Sequence, residues 1–141
     1  MKLIKILIFS VITITTCNNL YAKNDYFNEG ITFFEKKEFK KAKFKFEQVL
    51  VFNPKHEQSY LYLSKIFNKE KKNKLEKQNL KTVILLNPKN EEAIYSLSKL
   101  MLKESDYNES KKLIDQLLIF CKNYCEKGKA LKVEINKSIK K

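Results

Sequence analysis

Residues 51–65 read VFNPKHEQSYLYLSK, and residues 85–99 read LLNPKNEEAIYSLSK. Asn53-Pro54-Lys55 in the first stretch returns as Asn87-Pro88-Lys89 in the second, 34 residues further on. Leu63-Ser64-Lys65 returns as Leu97-Ser98-Lys99 over the same interval, and Tyr60 is matched by Ile94 with no insertion between. A fixed period of this length marks a stack of similar supersecondary units, each too small to bury a core alone. The local pattern is helical: Phe27, Ile31 and Phe34, and again Tyr60, Leu63 and Phe67, follow the spacing of one helix face. The chain has only two glycines and two prolines, and both prolines fall between helical patterns, where helix breakers belong. Helices of about 13 residues, roughly 20 Å long, are marginal alone in water and must bury a face against their neighbours. An all-α fold follows.

Working outward from this register, the preceding unit carries Gly30 as the small residue of a first helix and Phe33 one turn later. Ala42, Phe46 and Pro54 follow within the same unit. The middle unit offers Tyr60, Leu63, Ser64, Phe67, Leu80, Val83 and Pro88 at the matching places. The last offers Ile94, Leu97, Ser98, Met101, Asp106-Tyr107, Ser110, Ile114 and Leu117, with Lys122 in place of a closing proline. This pattern resembles the tetratricopeptide repeat (TPR). The resemblance implies antiparallel helix pairs stacked into a right-handed superhelix, with units at 23–56, 57–90 and 91–124. Terminal units need a polar outer cap, and 125–141, with Ala130, Leu131, Ile135 and Ile139 among many lysines, reads as a closing amphipathic helix. One position departs from the pattern. Glu76 stands where the repeat wants a small residue, so its helix is expected to rotate or stand off from Ser64, a weak point rather than a site.

The N-terminus reads as an export signal over residues 1–22. Lys2 and Lys5 precede an apolar stretch from Ile6 to Ile14, and a polar piece ends Leu20-Tyr21-Ala22. The apolar run is far below the roughly 20 residues that span a bilayer as a helix. Cleavage after Ala22 gives a chain beginning at Lys23 and an exported, periplasmic protein. Alternatively, Ile14-Thr15-Thr16-Cys17 resembles a bacterial lipobox, with Cys17 lipidated and the protein anchored to a membrane. Such a chain would resemble the helical-repeat lipoproteins that assemble outer-membrane barrels.

The net charge of +13 falls to +11 when Lys2 and Lys5 leave with the leader. Every basic residue is lysine. The planar guanidinium fork that reads phosphates and base edges is therefore absent, and no nucleic-acid partner is expected. Nor is catalysis. The single histidine, His56, lies in the turn after Pro54 with no triad spacing around it, and two distant glycines make no phosphate loop. No metal site and no cofactor are expected, since one histidine with Cys121 and Cys125 supplies no convincing ligand set. In an oxidising compartment that cysteine pair has two readings: a bridge pinning the cap if the joint is a turn, or thiols packed on one face if it is helix.

The TPR resemblance implies that a peptide or helix of another protein binds a concave surface lined by the first helix of each unit. At those places the chain offers Phe27, Asn28, Ile31 and Phe34, then Leu61, Tyr62, Lys65 and Lys69, then Tyr95, Lys99 and Lys103. Phe27 and Leu61 stand where polar clamp residues would hold an EEVD-type tail, which argues against that ligand. Lys65 and Lys69, repeated as Lys99 and Lys103, form a basic ladder that favours an acidic and apolar segment.

Overall fold

A computed structural model describes residues 25–140. The expected leader at 1–22, with its alternative processing points at Ala22 and Cys17, lies outside the described residues. Seven helices follow in order: α1 over 25–35, α2 Phe39–Phe52, α3 Glu57–Lys69, α4 Asn73–Leu86, α5 Glu91–Lys103, α6 Tyr107–Phe120 and α7 Cys125–Ile139. Among the described residues there is no strand, as the helical periodicity predicts.

The repeat is visible in the turns. Lys37, Lys71 and Ser105, spaced by the repeat, adopt left-handed backbone conformations with φ of 61°, 56° and 62°. At each, two backbone bonds close the preceding helix: Lys37 N–H to Phe34 and Glu38 N–H to Phe33, Lys71 to Asn68 and Lys72 to Phe67, Ser105 to Leu102 and Asp106 to Met101. This double bond pattern satisfies carbonyls that a helix end leaves bare, and a side chain in that conformation carries a steric cost. The turns between pairs are also alike. Asn53 and Asn87 donate their backbone N–H to Val49 and Val83 at 2.8 Å. Each is followed by proline, and three residues after each asparagine stands an N-cap. Asn90 Oδ1 accepts the Ala93 N–H at 2.8 Å, and His56 Nδ1 accepts the Ser59 N–H at 3.2 Å. His56 is thus a half-buried cap rather than the solvent-facing loop residue its turn position suggests.

The chain divides into two compact units, one ending at Ser59 and the other beginning at Tyr60. In the first, Ala42, Phe46 and Val49 of α2 are buried. Gly30 permits this packing: a Cβ there would lie 2.7 Å from Phe46 Cε1. Phe27 packs its ring on Phe46 (centroids 5.7 Å apart) and sets it edge-on to His56 (4.7 Å).

The second unit is organised around α5, whose Ala93, Ile94, Leu97, Ser98, Leu100 and Met101 are all buried. Leu80 and Val83 of α4 join this core from one side and Leu113, Ile114 and Leu117 of α6 from the other. Leu61 belongs to the same core, only 4% exposed. This corrects its assignment to the binding face: its helix turns that side chain inward.

The close helix contact is made differently in successive repeats. In the last pair, Ser98 Oγ donates to the Ser110 carbonyl and Ser110 Oγ donates to the Ser98 carbonyl, both at 2.8 Å. Ser64 and Glu76 occupy the same places in the middle pair, and no such exchange forms. Ser64 Oγ donates instead to Leu61 O of its own helix at 2.6 Å. Glu76 does not reach solvent: it is 4% exposed, and its Oε1 accepts the Asn68 amide at 2.9 Å. Its Oε2 is buried without a hydrogen-bond partner.

The closing helix α7 buries Gly128, Leu131 and Ile135, a single i, i+3, i+7 line. Ala130 and Ile139, expected on that face, are exposed. The contact turns on Gly128, which lets α7 approach Leu117 and Leu118 of α6.

Candidate partner-binding face

The expected contact residues of the N-terminal unit are largely structural. Phe27 lies against Phe46 and His56, and Phe34 packs edge-on to Phe39 with centroids 5.6 Å apart. Ile31 is half-buried, while Asn28 is exposed and its carbonyl accepts the Thr32 hydroxyl at 3.0 Å.

In the second unit α3 and α5, the first helices of successive pairs, carry a surface row of tyrosines and lysines. Tyr62 and Tyr95 are half-buried, and Lys69, Lys99 and Lys103 are exposed. Lys65 is not an open member of the ladder. Its Nζ lies 2.9 Å from Glu92 of α5 and 5.0 Å from the Tyr62 ring centroid, so its charge is engaged within the chain. Such a half-exposed pair stabilises weakly, by about 0–1 kcal/mol, but it fixes the lysine over the aromatic. Lys103 Nζ is 3.4 Å from Asn73 Oδ1, a long and exposed contact. Lys69 and Lys99 carry the row's outward charge.

The row ends at a locked turn, one of whose two fastenings sequence reasoning missed. Glu91, first residue of α5, accepts three backbone N–H groups at 2.8 Å: Lys122 on Oε1, and Asn123 and Tyr124 on Oε2. Desolvation pushes this carboxyl up. The N–H donors of Tyr124, Lys122 and Asn123, with the Lys122 charge, outweigh it and hold the pKa below the ordinary carboxylate value. Because the donors are main-chain atoms, no side-chain motif announces the contact. The same turn holds Cys121 and Cys125 in a disulfide with Cα atoms 5.3 Å apart. Since α6 stops at Phe120 and α7 starts at Cys125, the joint is a turn, the first of the two readings. Tyr124, held here, packs its ring tilted against Tyr95, with centroids 5.4 Å apart, and lies under Lys127 at 4.7 Å. Among the described residues no three of His, Cys, Asp and Glu gather as a metal site.

No protein-family model matches the sequence, and no curated protein matches it. Solved structures do match. The first TPR of Spaghetti (RPAP3), bound to the HSP90 peptide SRMEEVD, is similar at 13% identity with a TM-score of 0.76, over 84% of this chain and 94% of that one. The TPR2B domain of yeast Sti1 in a pHsp70 complex is similar at 12% identity, TM-score 0.73, over 82% and 96%. The Yersinia enterocolitica type III secretion translocator chaperone SycD is similar at 10% identity, TM-score 0.74, over 84% and 95%. Identities this low speak for fold, and they establish it: the chain has the superhelical all-α fold of tetratricopeptide-repeat domains.

Proposed function

We propose that this protein is an exported, non-enzymatic interaction scaffold that holds a segment of another protein against α3 and α5. The observation carrying the reading is the row on that face, where half-buried Tyr62 and Tyr95 alternate with outward Lys69, Lys99 and Lys103. Aromatic rings on a rigid helix offer apolar contact at low entropic cost, while lysines select for acidic residues and steer encounter. The partner segment is therefore acidic and apolar. Support from the fold is that two similar domains, those of Spaghetti and Sti1, were solved with an HSP90 peptide or in a pHsp70 complex. An EEVD-type tail is disfavoured here, since Phe27 packs on Phe46 and Leu61 is core where polar clamp residues would be required.

A photo-crosslinking residue at Lys103, in cells producing the protein, should yield a discrete adduct that an equivalent residue at Lys111 on α6 does not. Reversal of Lys69 and Lys99 to glutamate should abolish that adduct, whereas reversal of Lys111 and Lys112 should spare it. Equal losses from both pairs would reduce the effect to net charge. Export rests on the order of charge, apolar stretch and Ala22 in the leader, and predicts a native product beginning at Lys23. An acylated product beginning at Cys17 would make it a lipoprotein instead.

A further inference from the structure

Large exposed apolar residues are ordinary when scattered singly. Here three of them share one register. Val51, Leu85 and Ile119 are 76%, 81% and 85% exposed, and each stands one residue before the end of the second helix of its pair. Repetition at core positions has a cause inside the chain: Leu80 and Ile114, and likewise Val83 and Leu117, are buried against α5. Among the described residues nothing covers Val51, Leu85 or Ile119, so the repetition has no such cause there and a partner beyond those residues is sought.

Within the second unit the surroundings define that partner. The outward line of α4 runs Lys74, Gln78, Lys81, Leu85, every member exposed and none acidic, and Lys89 follows in the next turn. On α6, Ile119 is followed at the helix end by exposed Lys122. The one carboxylate on its line, Asp115, is paired with Lys132 of α7 at 2.7 Å. The α4 tip thus stands in a field of lysine, and the α6 tip stands near one lysine whose charge also acts on Glu91. A second copy would bring lysine against lysine. A folded partner needs a contiguous desolvated patch with aromatic anchors, which isolated tips do not supply. A lipid surface accepts isolated tips between acyl chains and gathers lysines at its headgroups.

We infer that the edge formed by the ends of α4 and α6 seats on an anionic membrane surface, with Leu85 and Ile119 entering the interface and the neighbouring lysines lying over the headgroups. No described helix is long and apolar enough to cross a membrane, so this contact is peripheral. The face formed by α3 and α5 is made by the other helix of each pair and stays available to a protein segment.

The chain has no tryptophan, which allows a position-specific test. Full-length protein carrying Leu85→Trp, Ile119→Trp or, as reference, Lys99→Trp is mixed with vesicles of phosphatidylcholine containing about one-third phosphatidylglycerol, their acyl chains brominated. Tryptophan at 85 and at 119 should shift to the blue and lose about half or more of its emission, while tryptophan at 99 stays near its value in buffer. Affinity should fall roughly tenfold or more on pure phosphatidylcholine, because the lysine attraction is lost. Attachment driven by the apolar residues 6–14 alone would leave all three positions unquenched, and equal quenching at 99 would signify contact without orientation. Either result overturns the proposal, as does affinity indifferent to phosphatidylglycerol.

Discussion

Glu76 makes a prediction whose sign changes the reading of the fold. Its carboxyl is buried at the contact where the other pairs place Ala42 or Ser110, with one oxygen on Asn68 and the other unpartnered. Burial raises its pKa above the ordinary 4.5, and the Asn68 hydrogen bond and the Lys103 charge only partly offset this, while Glu104 adds to it. Replacement by Gln keeps both methylenes and the acceptor for Asn68, so packing cancels and the difference between the proteins is charge. An unsatisfied buried polar atom costs about 1–3 kcal/mol, more when charged. The amide keeps one such atom, so the gain at neutral pH lies near the low end, about 1 kcal/mol, or roughly 4 °C in Tm for a domain of this size.

The pH dependence separates this from a packing effect. A carboxyl whose folded pKa exceeds its unfolded value gives relative stability that is complete below the unfolded pKa and is lost as pH rises through the folded one. The advantage of Glu76→Gln should therefore be near zero below about pH 4.5, grow through the raised pKa and level off above it. Thermal unfolding of both proteins across that range reads it directly. A pH-independent difference would mean that the carboxyl does not titrate with folding. A variant less stable at neutral pH, recovering in acid, would mean that Lys103 holds the carboxylate favourably and that the burial argument has the wrong sign.

Four further outcomes follow from the same contacts. Gly30→Ala should destabilise the N-terminal unit by about 1–3 kcal/mol, because its Cβ would meet the buried Phe46 ring at 2.7 Å; chemical denaturation measures it. Lys71→Gly should raise the midpoint by the equivalent of about 1 kcal/mol by relieving a left-handed backbone, and a lower midpoint would show that the greater freedom of the unfolded chain outweighs that strain. Glu91→Gln should mirror Glu76→Gln: the depressed carboxyl gives stability above its unfolded pKa that fades as pH falls through the folded one, so the variant loses at neutral pH and converges with the parent in acid. Reduction of Cys121–Cys125 should raise amide exchange in α7 before α5, read by hydrogen–deuterium exchange, and equal protection in both states would leave the bridge without a role in holding the cap.

The helices were legible because their signals are local and repeated. Asn-Pro-Lys twice in register and Gly30 opposite Ala42 each speak for backbone geometry, and α-helical periodicity separates inner from outer positions to within about one residue. That residual is where the reading failed. Leu61 and Tyr62 are neighbours on α3, yet one is core and the other surface, and a rotation of one residue exchanges them. Ala130 against Leu131 on α7 is the same error. Contacts between distant residues were not legible either. Lys65 pairs with Glu92, Glu76 reaches Asn68, and Glu91 binds main-chain atoms of the last turn. Each depends on how two elements approach, and no spacing along the chain encodes that.

The lock on the last turn bears on the proposed binding face as well as on stability. A solenoid must cover its open end, and α7 does so with only Gly128, Leu131 and Ile135 buried. Fifteen residues with so short an apolar line would hold a helix poorly in water. The helix is instead fixed at its start, by a disulfide that closes the turn and a carboxylate that takes up three N–H groups there. Tyr124 is one of those donors, and its ring packs tilted against Tyr95, the aromatic of the α5 row. Loosening the turn therefore frees Tyr124 from its place beside Tyr95 before it disturbs α3 or α4. Reduction and acid act on the two halves of this lock separately, the first on the bridge and the second on Glu91. Either should weaken capture of a segment lying across Tyr95 while leaving the α4 core intact.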